Sequence, residues 1–283
     1  MPRFFYIICI IIFPACISAQ VRTDFDSTNV QGSHYNSAFS LVTLIPGAYS
    51  FMDVDALDNI YLITENNQLR KIKSNGDSAA IFNDVKKYGN PFLISVSNPL
   101  KTLVYYKNYS TVVILDRFLA YRSSLNLRKQ NIFKVKALAT SYDNNIRLFD
   151  EQDFKLKKVD DEGKTLAESS DFRQIFDTVP LPSMIIEQDN SIYLYDPEKG
   201  FYLFDYYGTF KTFIPFLHWQ HIAVAEGRIM GFGNDSLYSY EINSITLKTY
   251  SLPDMFKGYK DIKAMNGKLY LLRKEGVEVY KIR

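Results

Sequence analysis

Residues 54–64 read Val54-Asp55-Ala56-Leu57-Asp58-Asn59-Ile60-Tyr61-Leu62-Ile63-Thr64. The stretch is a polar Asp-Asn turn feeding a β-branched and aromatic run, the composition of a turn followed by a strand. The same run recurs along the chain. Its copies begin at Asn59 (NIYLIT), Thr102 (TLVYYK), Asn145 (NIRLFD), Ser191 (SIYLYD), Arg228 (RIMGFG) and Lys268 (KLYLLR), with spacings of 43, 43, 46, 37 and 40 residues. No 3.6-residue periodicity is sustained between them. Short runs bounded by Asn, Asp, Gly and Pro imply strands joined by tight turns.

A period of about 40 residues with four short strands per unit predicts a β-propeller, and six copies predict six blades. In the first unit, Phe51–Asp55 reads as the inner strand, Ile60–Thr64 as the second, Gln68–Lys73 as the third and Ala79–Phe82 as the outer one. Ser74-Asn75-Gly76-Asp77 is a hairpin turn between the last two, and Asp161-Glu162-Gly163-Lys164 and Tyr206-Tyr207-Gly208-Thr209 repeat it in units three and four. The sixth unit stops after three strands, while Phe39–Ile45 (FSLVTLI) precedes the first unit without one of its own. Pairing that N-terminal strand with the last blade closes the ring and covers an open edge. The fold class expected is therefore all-β, a six-bladed propeller over residues 39–283.

The segment Val54–Leu62 resembles the repeat core of NHL-type and TolB-like six-bladed propellers, and Ile185–Tyr195 is a looser copy. The resemblance implies the fold and little about function, because this fold hosts hydrolases, ligand binders and docking platforms alike.

The chain has 283 residues, 47% of them hydrophobic, with Lys+Arg 33 against Asp+Glu 31. This composition excludes a disordered chain, a collagen-like repeat and a polycation built for nucleic acid. At the N-terminus, Arg3 precedes the apolar run Phe4–Phe13, then Pro14 and Ile17-Ser18-Ala19-Gln20. That order reads as a secretory signal peptide, residues 1–19, cut after Ala19. The run is shorter than the ~20 residues that span a bilayer. An alternative makes Cys16 an acylated lipoprotein cysteine, although Phe13-Pro14-Ala15 matches the usual aliphatic-small-small pattern poorly. Cleavage after Ala19 would remove both cysteines, Cys9 and Cys16, and with them any disulfide or thiolate chemistry. Residues 20–38 are a polar lead-in. The mature chain is expected to be exported, periplasmic and soluble, with the cell surface or the extracellular space as the alternative location.

Ligands of propellers usually meet the end formed by the loops entering each inner strand and those joining second to third strands. Within that set, His218-Trp219-Gln220-His221 holds the only Trp and two of the three histidines. It offers an aromatic platform for a partner or small ligand. Residues three apart on a strand point to opposite faces, which disfavours a metal chelate. The plainer reading of the cluster is a packed Trp with hydrogen-bonding histidines at a blade junction. Asn90, Asn131 and Asp261 are placed where some six-bladed hydrolases bind calcium, without the Glu that would complete the set. G-x-S-x-G, H-E-x-x-H, P-loop and G-x-G-x-x-G motifs are all missing from the sequence.

From Lys101 to Lys136 eight basic residues face one acid, Asp116. Arg117, Arg122, Arg128 and Lys129 within this segment are candidate contacts for an acidic protein or anionic headgroups. Tyr105, Tyr106, Tyr109, Phe118, Tyr121, Tyr206, Tyr207 and Phe256 fall near turns, where exposure would favour an interface. The expectation is a non-catalytic module with no cofactor and no metal site. It would dock on a protein partner of an outer-membrane-associated complex, with a secretion translocon as the narrower expectation, through His218, Trp219, His221 and the basic flank, and be monomeric outside it. The export signal ending Ser-Ala-Gln on a drifted propeller resembles the accessory proteins of Gram-negative outer-membrane complexes. The alternatives are a metal-assisted lactone or ester hydrolase and a carbohydrate or small-ligand binder using Trp219.

Overall fold

The computed structural model describes residues 39–282, so the signal-peptide and lead-in readings, with both cysteines, lie outside the described residues. The sequence motif explains its own first turn. Asp55 is buried, and its Oδ1 accepts the backbone N–H groups of Leu57 (2.9 Å) and Asn59 (3.0 Å). Its Oδ2 accepts the Asn59 side-chain amide (2.9 Å) and the Tyr61 hydroxyl (3.0 Å). The Asp, Asn and Tyr of the repeat thus converge on one carboxylate, which satisfies polar groups that would otherwise be buried alone. Asp116, Asp160 and Asp205 hold three of the outer hairpins the same way, each accepting the N–H groups two and four residues on.

These turns link strands into six four-stranded antiparallel blades. Strand β1 (Phe39–Pro46) comes first in the chain. Blade 1 is β2 (Tyr49–Val54), β3 (Ile60–Thr64), β4 (Leu69–Ile72) and β5 (Ser78–Phe82). Blade 2 is β6 (Leu93–Asn98), β7 (Lys101–Tyr106), β8 (Thr111–Asp116) and β9 (Tyr121–Asn126). Blade 3 comprises β10 (Val135–Thr140), β11 (Ile146–Asp150), β12 (Lys155–Val159) and β13 (Thr165–Glu168). Blade 4 comprises β14 (Met184–Gln188), β15 (Ser191–Asp196), β16 (Gly200–Asp205) and β17 (Phe210–Ile214). Blade 5 runs β18 (Gln220–Ala225), β19 (Arg228–Gly233), β20 (Ser236–Glu241) and β21 (Thr246–Ser251). Blade 6 has β22 (Asp261–Met265), β23 (Lys268–Leu272) and β24 (Gly276–Ile282), and β1 pairs with β24 from Phe39↔Ile282 to Pro46↔Gly276. The N-terminal strand closes the last blade, as the ends of the sequence imply.

The core lies between blades. One apolar cluster joins Ile45, Tyr49, Val54 and Ile60 to Tyr270, Leu272 and Val277 across the blade 6–1 seam, and similar clusters fill the other junctions. The second strands of blades 1–4 and 6 are covered on both faces, β7 being buried at every residue, while β19 of blade 5 is only partly covered. Strands buried on both sides carry near-continuous apolar runs, which is why these strands, and not the half-exposed outer ones, display the repeat. Polar ties complete the junctions. Arg147 of blade 3, fully buried, donates from Nε to Glu187 Oε2 of blade 4 at 2.9 Å. At the closing seam, Asp58 of blade 1 accepts from Lys268 Nζ (2.7 Å), Asn266 Nδ2 (3.0 Å) and the Tyr270 hydroxyl (3.0 Å) of blade 6, and Lys263 pairs with Asp53. Among the described residues no helix is long and apolar enough to cross a membrane.

Candidate functional site

Antiparallel order gives each blade two ends. The connections entering inner strands, and the turns from second to third strands, share what we call the entry end. The remaining turns share the opposite end. Arg128 and Lys129 sit in a 3-10 turn (Leu127–Gln130) between blades 2 and 3, at the entry end. Asn126 caps this turn by accepting the Lys129 N–H at 3.3 Å. The Arg128 guanidinium is pinned, donating from Nε to Ser110 Oγ (3.0 Å) and from Nη2 to the Asn108 carbonyl (3.4 Å). Lys107 lies in the adjacent second-to-third turn, with its ammonium 4.7 Å from the Phe92 ring centre. Lys134 and Lys136 lie at the start of the inner strand of blade 3 and are exposed. None of these five cations has an ion-pair partner among the described residues. Acidic Asp150 and Asp153 of the same blade are both engaged by Lys157.

The same end exposes Phe92, Phe133, Leu181 and Leu217, each one to three residues ahead of the inner strand of blades 2 to 5. Tyr109, in the turn beside Lys107, is exposed too. An apolar arc therefore lines the rim of the ring, and its blade 2–3 quarter carries the free cations. A recess of about 270 Å³ adjoins it, lined by Lys136, Leu181, Asp196, Pro197, Glu198 and Lys199.

The structure divides the seven residues singled out in the sequence. Arg117 and Arg122 belong to the third-to-fourth turn and outer strand of blade 2, on the side away from Arg128 and Lys129, and Arg117 stacks on Phe118 at 4.6 Å. A single basic flank does not form. Trp219 is buried, with its ring parallel to Phe216 (4.6 Å between centres) and to Tyr238 (5.1 Å), and its backbone N–H donates to the Tyr195 hydroxyl at 2.6 Å. It occupies the blade-junction position and presents no open ring face. His218 is exposed at the entry end, its Nδ1 3.7 Å from Glu198 Oε1. His221 lies in a bulged stretch of β18, with Nδ1 2.5 Å from Asp261 Oδ1 of blade 6, and ties two inner strands together. The two imidazoles are thus held by different carboxylates, and among the described residues no three His, Cys, Asp or Glu side chains are grouped to hold a metal. Of the aromatics near turns, Tyr109, Phe118, Tyr121 and Tyr207 are exposed, whereas Tyr105, Tyr106 and Phe256 are buried. The apolar arc went unread in the sequence, although an apolar residue just ahead of the inner strand in four successive units is a visible signal.

No protein-family model matches the chain, and no curated protein does. Solved structures do. The chain is similar over 85% of its length to the WD40 domain of Pan2 from Neurospora crassa, with 10% identity, 81% of that chain covered and a TM-score of 0.58. It is similar to a catalytically inactive virginiamycin B lyase from Staphylococcus aureus with quinupristin, at 12% identity, 87% of this chain and 89% of that one, and a TM-score of 0.56. BamB from Moraxella catarrhalis matches at 11% identity over 82% of each chain, with a TM-score of 0.50. The likeness is one of fold.

Proposed function

We propose that this chain is an exported, non-catalytic propeller that docks an acidic segment of a protein partner on the blade 2–3 quarter of its entry end, as part of an outer-membrane-associated assembly. The observation that carries the reading is the set Lys107, Arg128, Lys129, Lys134 and Lys136, without ion-pair partners among the described residues, set beside exposed Phe92, Tyr109 and Phe133. Apolar and aromatic anchors ringed by unneutralised charge are what a complementary interface needs, the rings supplying affinity and the charges orientation and rate. The signal-like residues 1–19 support export, and an export signal ending Ser18-Ala19-Gln20 on a drifted propeller supports a place among envelope-associated propellers. The partner offers Asp and Glu side chains around one or two apolar anchors.

The test is recovery of the C-terminally tagged mature chain from gently solubilised envelopes, with mass spectrometry of what co-purifies. A stoichiometric partner is expected from the wild type and from Arg117→Glu/Arg122→Glu. It is expected to be lost from Arg128→Glu/Lys129→Glu and released by raised salt, as screening of a charged interface requires. A lone monomer, or a partner held equally by all three forms, overturns the reading.

A further inference from the structure

The opposite end of the ring carries a second feature that protein docking at the entry end does not use. A recess of about 390 Å³ lies where blades 3 and 4 meet, lined by Tyr142, Asn190, Asp205, Tyr206 and Tyr207. Its volume falls in the roughly 300–1,000 Å³ of small-molecule sites. Tyr142 is 64% exposed and Tyr207 78% exposed, an unusual state for two neighbouring rings. They are not loose. Tyr142 packs edge-on against Tyr206 (4.6 Å, 79°), and Tyr206 against Tyr207 (5.3 Å, 67°). Tyr206 is locked from behind, its hydroxyl accepting from Lys158 Nζ (2.7 Å) while lying 3.3 Å from Asp143 Oδ2, which Lys158 also reaches at 2.8 Å.

The polar groups at the recess are partly unused. Asp205 Oδ1 accepts the N–H groups of Tyr207 (2.9 Å) and Thr209 (2.8 Å), and the Thr209 side chain is the other neighbour that helps hold the carboxyl ionised, which leaves acceptor capacity on Oδ2. Those backbone bonds hold the Asp205 carboxyl below its usual range, so this oxygen stays a charged acceptor at neutral pH. The Asn190 side chain has no hydrogen-bond partner among the described residues, and it stands on a tight turn in which Asp189 (φ 53°) and Asn190 (φ 55°) both have left-handed backbone. The recess thus combines exposed ring faces, one carboxylate acceptor and one amide that both donates and accepts.

We propose that this recess binds a pyranose unit of a neutral saccharide. A sugar ring has an apolar C–H face that packs on an aromatic ring, and adjacent hydroxyls that a carboxylate–amide pair can take together. Tyr207 supplies the platform, Tyr142 the wall, and Asp205 and Asn190 the hydroxyl contacts. An organic cation fits less well: its aromatic cage needs converging ring faces. Here the middle ring, Tyr206, is already taken by two cations, with Lys158 and Arg147 4.7 and 6.0 Å from its centre.

Saturation-transfer NMR and calorimetry on the mature chain test this with maltose, cellobiose and diacetylchitobiose as probes, and tetramethylammonium as the cationic comparison. Saturable binding of at least one disaccharide in the millimolar range is expected, weakened about tenfold or more, roughly 1.4 kcal/mol, by Tyr207→Ala and by Asn190→Gly. Both sites are exposed and glycine keeps the left-handed turn, so circular dichroism of the variants should match the wild type. Arg128→Glu/Lys129→Glu should bind the sugar normally, which separates this site from the docking surface. The proposal falls if none of the three sugars binds at about 10 mM, if both variants bind as the wild type does, or if tetramethylammonium alone is bound.

Discussion

The seam that closes the ring makes a measurable claim at Asp58. Its two carboxylate oxygens receive three donors from blade 6, with Lys268 on Oδ2 and both Asn266 and Tyr270 on Oδ1. Asp58→Asn keeps the shape and tolerates the left-handed backbone (φ 62°), as Asn does at such positions. It cannot keep the bonds, because its NH2 must face either the Lys268 ammonium or the donors on the other side. A hydrogen bond to a charged group is worth about 1.5–3 kcal/mol. The pair is partly exposed (side chains 19% and 23%), which reduces the figure to about 1–2 kcal/mol. At this chain length that is about 2–8 °C in melting temperature. Burial alone would raise the Asp58 pKa, but the bonds from Lys268, Asn266 and Tyr270 hold it below its usual value. A carboxylate lowered on folding stabilises the native state above its unfolded pKa of about 3.9, and that stability is lost as pH falls through the lower folded value. The gap between wild type and Asp58→Asn, read by urea or thermal unfolding, should therefore be full at pH 7 and close on acidification below about pH 4. No gap at pH 7, or one that is constant with pH, would refute the account of the seam.

Gly276 pairs with Pro46 in the closing ladder at φ 151°, and an added Cβ would meet the Ile45 carbonyl oxygen at 2.2 Å. Gly276→Ala should cost more than about 2 kcal/mol in denaturant unfolding, and an unchanged midpoint would mean β1 does not pair in this register. The lone Trp219, buried between Phe216 and Tyr238, should emit at short wavelength and resist iodide, and Trp219→Ala should cost about 3–5 kcal/mol. Red-shifted, easily quenched emission would contradict its packing. Arg128→Glu/Lys129→Glu should cost no more than about 1–2 kcal/mol, the worth of the Arg128 bonds to Ser110 and Asn108, since both side chains are otherwise exposed. A larger loss in thermal melts would make them part of the scaffold instead of the surface.

The blades were legible because their second strands, buried on both faces, cannot vary freely: NIYLIT and SIYLYD carry the period almost by themselves. Ring closure was legible from the unpaired Phe39–Ile45 and the three-stranded last unit. Inner-strand boundaries were less so, and β2 begins at Tyr49, two residues ahead of the apolar run that marks it. The candidate site fared differently. Nothing local to His218-Trp219-Gln220-His221 shows that Tyr238, nineteen residues on, closes over the indole. The basic segment looked continuous because sequence distance ignores chain reversal. One strand, Tyr121–Asn126, carries the chain from the end bearing Arg117 to the end bearing Arg128. The recess at Tyr142 and Tyr207 joins turns of two blades some 65 residues apart, a proximity that only the ring creates.

Because Phe39 lies opposite Ile282 and Pro46 opposite Gly276, the first and last described residues leave the molecule side by side. A load applied between them does not slide β1 along β24 against the whole ladder. It peels the two strands apart from that end, one rung after another, so the ring is mechanically weakest when pulled by its own ends. A tether at only one of them puts no force between the two strands unless the body of the ring is itself held elsewhere.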